Sequence, residues 1–185
     1  NASLPRGKII DEGITALKLL FDKRVADFDG THYNFRDVEL YPKPFQDHLP
    51  LYIGGNNANN LRRVAKWADG WLPAAVHLDQ MRKDVSTLRE LTETEGRNFG
   101  DIQVAPQYIV HVGKTRESAL ENFNKTQMCA HLTSLRKSTL KGQGTLKHED
   151  INLIGTVDDI VERANFLREA GVTHLLGLYF AANDI

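Results

Sequence analysis

The sequence has very little cysteine and no long apolar run. Cys129 is the only cysteine in 185 residues, so no disulfide can form within the chain. No apolar run approaches the roughly 20 residues that span a bilayer. Neither sign of charge is in excess, because 23 Lys and Arg stand against 24 Asp and Glu. No global field therefore attracts nucleic acid or an anionic membrane, and we expect a soluble protein in a reducing, cytoplasmic setting, with neither partner.

Familiar catalytic arrangements are also missing. The seven histidines show no metal-ligand spacing, so no metal is predicted. The sequence contains no paired acid and base, no glycine-flanked nucleophilic serine and no Cys and His arrangement, so the catalytic residues stay unknown. The chain begins with Asn1 rather than Met and lacks the layout of a signal peptide, and we expect that it starts within a longer reading frame.

A helix and a hairpin are predicted at the start of the chain. Apolar residues recur at helical spacing over residues 8–22 and predict an amphipathic helix. These residues are Ile10, Ile14, Leu17 and Phe21. Residues 25–41 form two β-prone arms on either side of Asp29-Gly30, which is typical of an antiparallel hairpin. We interpret the hairpin as an excursion from the main fold.

Strands and helices alternate from residue 51 onward. The predicted strands are a buried strand at 51–53, a strand around Trp71, a strand at 104–112 and a last strand at 174–180. Such alternation forces parallel pairing, with the strands adjacent in that order, in a doubly wound sheet or a (β/α) barrel. A complete barrel has eight strands and about 250 residues. As a barrel, residues 1–185 would be a single partial domain with about half of the strands.

The most informative segment is a strand that turns through two glycines directly into a helix. It comprises Leu51, Tyr52, Ile53, Gly54, Gly55, Asn56, Asn57 and Ala58. Such a turn frees backbone N–H groups at a helix N-terminus, where they and the helix dipole favour an anion such as a phosphate. The alternative is a tight turn with an asparagine cap and no ligand. No Walker-type lysine follows, so a nucleoside triphosphate is not expected.

Two further segments have mainly structural interpretations. Asp69-Gly70-Trp71 is expected to be a turn residue, a glycine cap and a core tryptophan. The polar stretch from His131 to Lys141 is expected to be a solvated helix face. Its alternative role is to approach an anionic cofactor tail from a strand's C-terminal end. Its polar members are His131, Ser134, Arg136, Lys137 and Lys141.

Taken in order, three pieces of the chain resemble the bacterial luciferase-like family of flavin-dependent oxidoreductases. The pieces are Phe28-Asp29-Gly30 with Tyr33 and Pro42-Lys43-Pro44-Phe45-Gln46; Leu51 to Gly55 with Ala68-Asp69-Gly70-Trp71; and Gly155-Thr156 with Glu169-Ala170-Gly171-Val172. The resemblance implies an α/β fold of the (β/α)8 TIM-barrel type. The chain would supply the last four strands, and the preceding strands of the family supply much of the flavin and substrate pocket. The catalytic residues are expected there.

The resemblance also implies a cofactor and its site. It places the cofactor phosphate on Gly54, Gly55, Asn56, Asn57 and Ala58. It implies a monooxygenase or related oxidoreductase that uses reduced FMN, or alternatively a deazaflavin coenzyme, on a small-molecule substrate. Two other functions stay open, which are a phosphate-binding barrel lyase or isomerase and a non-catalytic flavin-binding remnant. Because a half-barrel leaves strand edges unpaired, we also expect a homo-oligomer.

Overall fold

The chain opens with a helix that holds an antiparallel hairpin. The structure is a computed structural model that describes residues 5–137 and 147–180. Helix α1 (Arg6–Asp22) precedes β1 (Ala26–Asp29) and β2 (Asn34–Val38), which pair antiparallel. The Glu12 carboxylate of α1 accepts hydrogen bonds from the backbone N–H groups of residues 31–33 in the hairpin turn. The predicted helix and hairpin are confirmed, and the hydrogen bonds of the Glu12 carboxylate connect them.

Strands and helices then alternate along the rest of the described chain, with two exceptions. In order, they are β3 (Tyr52–Gly54), α2 (Ala58–Trp67), β4 (Gly70–Leu72), α3 (Leu78–Thr94), β5 (Gln103–Val104), β6 (Gln107–Val112), α4 (Arg116–Asn124), α5 (Gln127–Lys137), β7 (Leu153–Gly155), α6 (Val157–Glu169) and β8 (Leu176–Tyr179). The exceptions are that β6 directly follows β5 and that α5 directly follows α4. Short 3₁₀ turns at Phe99–Asp101 and His148–Asp150 lead into β5 and β7. Helices α4 and α6 begin with capping boxes at Thr115 and Thr156, in which the threonine hydroxyl accepts a hydrogen bond from an N–H of the first turn.

The strands of this second part pair in parallel. Strand β3 pairs with β4, β4 with β5, and β6 with β8. Strands β5 and β6 are two parts of the single predicted strand at 104–112, and they are separated by Ala105 and Pro106. The predicted spatial order of the four strand segments is therefore confirmed within the described residues.

Strand β7 is a fifth strand that our prediction missed. The four predicted strands include none between residues 112 and 174. Instead, Leu153–Gly155 pairs in parallel with the last residues of β6. The sequence shows no strand pattern here, because the strand has only three residues and ends directly at the N-cap of α6. Strand β7 extends the sheet beyond the end of β4. At the start of β6, the Gln107 N–H donates to the carbonyl of Pro73, which follows β4. After the end of β6, the Gly113 N–H donates to the carbonyl of Gly155 in β7.

The two faces of the sheet differ in burial. Ile53, Trp71, Val104 and Tyr108 point to the helices and belong to or pack on the main hydrophobic core. The opposite face is open at β3 and at the start of β8, where Tyr52 is 39% exposed and Leu176 is 41% exposed, but α5 packs on Ile109 of this face. The prediction that residues 51–53 form a buried strand is therefore wrong for the described chain, in which β3 lies at an uncovered edge.

Arg97 closes the C-terminal end of α2, and its loss should destabilise the fold. Its guanidinium donates hydrogen bonds to the carbonyls of Val64 at 3.1 Å, Ala65 at 2.8 Å and Ala68 at 2.7 Å. Arg97→Leu removes these three hydrogen bonds and leaves the Val64 carbonyl with the Ala68 N–H as its donor. We expect a loss of about 2–4 kcal/mol in the free energy of unfolding, measured by denaturant titration. The control Arg36→Leu alters a solvent-exposed ion pair and should cost less than about 0.5 kcal/mol. Equal losses would contradict the role of Arg97.

Candidate functional site

The turn between β3 and α2 has a backbone that requires glycine. Gly55 has a φ of +95°, which side chains rarely adopt. Asn57 caps the helix, because its side-chain oxygen accepts a hydrogen bond from the Asn60 N–H at 3.0 Å. The sequence Gly-Gly-Asn-Asn thus produces an abrupt change from strand to helix with the helix start exposed.

The N–H groups at the start of α2 are available to a ligand. Ala58 and Asn59 are the first helical residues, are solvent-exposed, and donate to no protein acceptor within the described residues. Asn60 and Leu61, by contrast, already donate to the Asn57 carbonyl. Two free donors at the positive end of a helix dipole can bind an anion.

Two side chains hold the turn in place. The indole N–H of Trp71, which is fully buried, donates to the Gly55 carbonyl at 2.9 Å. Asn56 donates to the Ala74 carbonyl at 2.7 Å and accepts from the Ala74 N–H at 3.1 Å. The side chain of Asn56 therefore links the ends of β3 and β4, and both of its polar atoms are already hydrogen-bonded to Ala74.

The turn lines a cavity of about 670 Å³ that lies beside the carboxyl ends of β3 and β4. Gly55, Asn56 and Asn57 lie on one side, and Met128, His131 and Leu132 of α5 also line it. The remaining lining residues are Ala74, Ala75, Gln107, Ile109, Asn152 and Leu178. The structure thus brings Gly55, Asn56 and Asn57 into one cavity, whereas Gly54 and Ala58 are exposed beside it.

The polar stretch on α5 partly reaches this cavity. His131 lines it and is itself exposed, which fits the predicted solvated helix face, whereas an approach to an anionic cofactor tail stays a prediction. Ser134 is exposed and is not among the lining residues. The side chains of Arg136 and Lys137, and all of Lys141, lie outside the described residues, so their predicted solvation stays a prediction.

Asp69 has a structural role at the beginning of β4. Its carboxylate accepts a hydrogen bond from the Leu51 N–H at 2.7 Å and contacts the His48 ring at 2.8 Å. Burial raises the pKa of the Asp69 carboxyl, but these hydrogen bonds outweigh burial and hold the pKa below its usual value. The predicted turn residue and core tryptophan agree with this geometry. The predicted glycine cap is wrong, because Ala68 caps α2 and Gly70 is the first residue of β4.

Sequence reasoning missed Gln107, Met128 and Asn152 as cavity residues. Gln107 lies on β6, Met128 on α5 and Asn152 just before β7. Because side chains alternate between the two faces along a strand, the sequence could place Gln107 on one face of the sheet. It could not show which of the two faces is open. Met128 and Asn152 reach the cavity only through tertiary packing, for which the local sequence carries no signal.

Gly54 and Gly55 should respond differently to the same substitution. A Cβ at Gly55 would meet the Asn60 side chain in a backbone conformation that already strains any side chain, whereas a Cβ at Gly54 meets only the Leu72 carbonyl at 3.5 Å. We expect Gly55→Ala to lower the free energy of unfolding by about 1–2 kcal/mol and Gly54→Ala to change it by less than about 0.5 kcal/mol. Thermal and denaturant unfolding measure both. Equal tolerance would show that the turn is not held as described.

Neither a metal cluster nor a membrane span is found in the described part of the chain. Residues 5–137 and 147–180 contain no group of three or more His, Cys, Asp or Glu side chains that could hold a metal ion. Every helix within those same residues is too short or too polar to cross a bilayer.

Comparison with known proteins identifies the family and a group of partial relatives. Residues 6–174 match the luciferase-like monooxygenase family. An uncharacterized protein of Mycobacterium bovis is 32% identical over 92 residues, which are 50% of this chain and 31% of that protein. The F420-dependent glucose-6-phosphate dehydrogenase of Kineococcus radiotolerans is 24% identical over 153 residues, which are 80% of this chain and 42% of that protein. The chain spans less than half the length of these curated relatives.

Solved structures share the fold at low identity. An F420-dependent secondary alcohol dehydrogenase, in complex with an F420-acetone adduct, matches with a TM-score of 0.78 at 16% identity, over 99% of this chain and 60% of that one. Monooxygenase RslO1 from Streptomyces bottropensis matches with a TM-score of 0.74 at 17% identity, over 98% of this chain and 56% of that one. Together with the family match, these similarities show that the chain has an α/β fold of the TIM-barrel type. This chain belongs to the luciferase-like monooxygenase family, whose members are oxidoreductases.

Proposed function

We propose that this chain is part of a flavin- or deazaflavin-dependent oxidoreductase and binds the coenzyme phosphate at the turn from Gly54 to Ala58. The observation that carries this proposal is the exposed start of α2, where two N–H donors without a protein acceptor follow the positive-φ Gly55. The adjoining cavity of about 670 Å³ lies within the usual size of small-molecule sites, roughly 300–1,000 Å³. Its position beside the carboxyl ends of parallel strands is typical of barrel enzymes.

Relatives of both coenzyme types support this chemistry. Several are F420-dependent by name, and a riboflavin lyase of the same fold, with a TM-score of 0.67, was solved with a modified FMN. We propose FMN first and a deazaflavin coenzyme as the alternative, because a phosphate on the ribityl tail of either would meet the same N–H donors. When bound, the coenzyme supplies hydride transfer or oxygen activation. Residues 54–58 would anchor its phosphate, and the α5 side of the cavity would limit access of water.

Titration of the full-length protein with FMN and with coenzyme F420 tests the proposal. Trp71 reports on the site directly, because its indole bonds to Gly55, so bound coenzyme should quench tryptophan fluorescence. We expect saturable binding of one coenzyme with a dissociation constant in the micromolar range or below. A full-length protein that binds neither coenzyme at high micromolar concentration would refute the proposal.

The two other functions make different demands. A phosphate-binding lyase or isomerase needs a lysine or glutamate at a strand end, and the described lining of the cavity includes neither. A non-catalytic remnant would bind coenzyme without turnover. Reduction of the bound coenzyme by a substrate in single-turnover mixing favours the oxidoreductase, whereas tight binding without reduction by any alcohol, aldehyde or reduced donor favours the remnant.

We also propose that the chain supplies the last four strands of a barrel and that its inner sheet face is covered by association. The exposure of Tyr52 and Leu176 on that face and the open edges of β3 and β8 support this. We expect the 185-residue chain to sediment as a dimer or larger species that binds little of an apolar dye. A stable monomer with low dye binding would contradict the expectation.

A further inference from the structure

The polar side chains of the 670 Å³ cavity divide into two groups. Asn56 exchanges two hydrogen bonds with Ala74. Asn152 accepts from the Ile109 N–H at 3.1 Å and donates to the His148 carbonyl at 3.1 Å. Gln107 and His131, by contrast, form no side-chain hydrogen bond with any residue in the described ranges 5–137 and 147–180. These two side chains are therefore free to bind a ligand.

Hydrogen bonds hold the backbone that carries each of these two side chains. The N–H of Gln107 donates to the Pro73 carbonyl at 2.8 Å, and its carbonyl accepts from Ala75 at 3.1 Å. Its side chain lies on the open face of the sheet, since the adjacent Tyr108 faces the helices. His131 lies on α5, whose first turn is fixed by the buried Thr126: its hydroxyl donates to the carbonyl of residue 123 at 2.7 Å and accepts from the N–H of residue 129 at 3.2 Å.

The rest of the wall near His131 is apolar. Met128 and Leu132 of α5 pack with Ile109 and Leu178 in the second hydrophobic cluster, and all four line the cavity. The described lining residues include no carboxylate, lysine or arginine. An ionised group placed against these four apolar side chains would lose hydration without gaining a counter-charge, which is strongly unfavourable.

We propose that Gln107 and His131 bind the oxygen of an uncharged alcohol or carbonyl substrate whose hydrocarbon part lies against Met128, Leu132 and Leu178. The inference rests on the proposed function, because it places this substrate beside the coenzyme held at residues 54–58. A glutamine amide and an imidazole can each donate or accept a hydrogen bond. The pair therefore suits a hydroxyl and a carbonyl equally, as the two sides of an oxidoreductase reaction require.

The test uses the full-length, coenzyme-loaded protein with 1-hexanol and hexyl phosphate as probes, measured by calorimetry. We expect hexanol to bind at least tenfold more tightly than hexyl phosphate. Gln107→Met, which keeps the length of the side chain, and His131→Leu should each weaken hexanol binding by about 3- to 10-fold. His131→Asn, which keeps a donor and an acceptor, should restore part of the loss.

Matched controls isolate the effect. Gln127→Met is the control for Gln107→Met, at an exposed position on α5, and His32→Leu is the control for His131→Leu, in the hairpin turn. Neither residue lines the cavity. Both variants should therefore bind hexanol as tightly as the parent does. Leu132→Ala should reduce the gain in affinity from 1-butanol to 1-hexanol, because it removes apolar contact surface.

The outcomes separate the two hypotheses. Coenzyme affinity is measured first, and failure of coenzyme binding refutes the proposed function. If the coenzyme binds but hexyl phosphate is preferred over hexanol, the inference of an uncharged substrate is overturned. If folded Gln107→Met and His131→Leu both bind hexanol as tightly as the parent, their assignment to the substrate oxygen is overturned while the coenzyme site stands.

Discussion

Ala58→Pro should weaken binding of the phosphorylated coenzyme by about tenfold or more while the fold keeps its stability. Proline removes the N–H of the first helical residue, which is one of the two donors we assign to the phosphate. A hydrogen bond to a charged group contributes roughly 1.5–3 kcal/mol, and 1.4 kcal/mol corresponds to about tenfold in affinity. Fluorescence titration measures the loss.

The local backbone of α2 is compatible with this substitution. Proline is well tolerated at the first position of a helix, where the N–H has no partner within the helix. It also restricts the preceding residue to extended conformations, and Asn57 already has φ −95° and ψ 158°. We therefore expect the free energy of unfolding to change by less than about 0.5 kcal/mol.

Val157→Pro provides a matched control. Val157 is the first residue of α6, and the preceding Thr156 is likewise extended, with φ −74° and ψ 170°. Val157 does not line the cavity beside residues 55–57, so this variant should bind coenzyme normally. An equal loss of affinity in both proline variants would show that Ala58→Pro acts through general helix perturbation.

Trp71→Ala should lower the free energy of unfolding by about 3–5 kcal/mol and also loosen the turn between β3 and α2. Trp71 is fully buried in the main core, and truncation of buried aromatic residues leaves a large cavity. The variant also removes the indole that donates to the Gly55 carbonyl at 2.9 Å. Chemical denaturation measures the stability, and coenzyme titration below the unfolding transition measures the second effect.

The second tryptophan supplies the comparison for Trp71. Trp67 is only partly buried at the end of α2, where the Lys66 ammonium lies 4.8 Å from its ring. We expect Trp67→Ala to cost clearly less stability than Trp71→Ala and to leave coenzyme affinity unchanged. A larger loss at Trp67 would contradict the burial pattern of the sheet.

Local signals in the sequence predicted most of the elements. Thr115 and Thr156 have the side chains that cap helices, and both helices begin there. The glycines at 54 and 55 predicted a strand-to-helix turn, and Gly55 adopts the positive φ that only glycine favours. These features depend on a few consecutive residues, so their chemistry can be interpreted without the rest of the fold.

Features that depend on distant segments were not predictable in the same way. Strand β7 has three residues and exists because β6 offers it an edge. The exposure of Tyr52 depends on what covers the inner face of the sheet. The cavity joins the turn at Gly55 to α5, far along the chain, and packing of α5 on Ile109 rather than any local motif brings His131 there.

The most direct test of the phosphate site compares FMN with riboflavin, which lacks the phosphate, on the parent protein and on Ala58→Pro. These four dissociation constants isolate the interaction between the phosphate and the N–H group of residue 58, because effects on the flavin ring cancel. We predict that the parent prefers the phosphorylated form by tenfold or more. The variant should lose about tenfold of this preference and bind the phosphate-free form as the parent does. If folded Ala58→Pro keeps the full preference for the phosphorylated form, the phosphate does not bind at the start of α2.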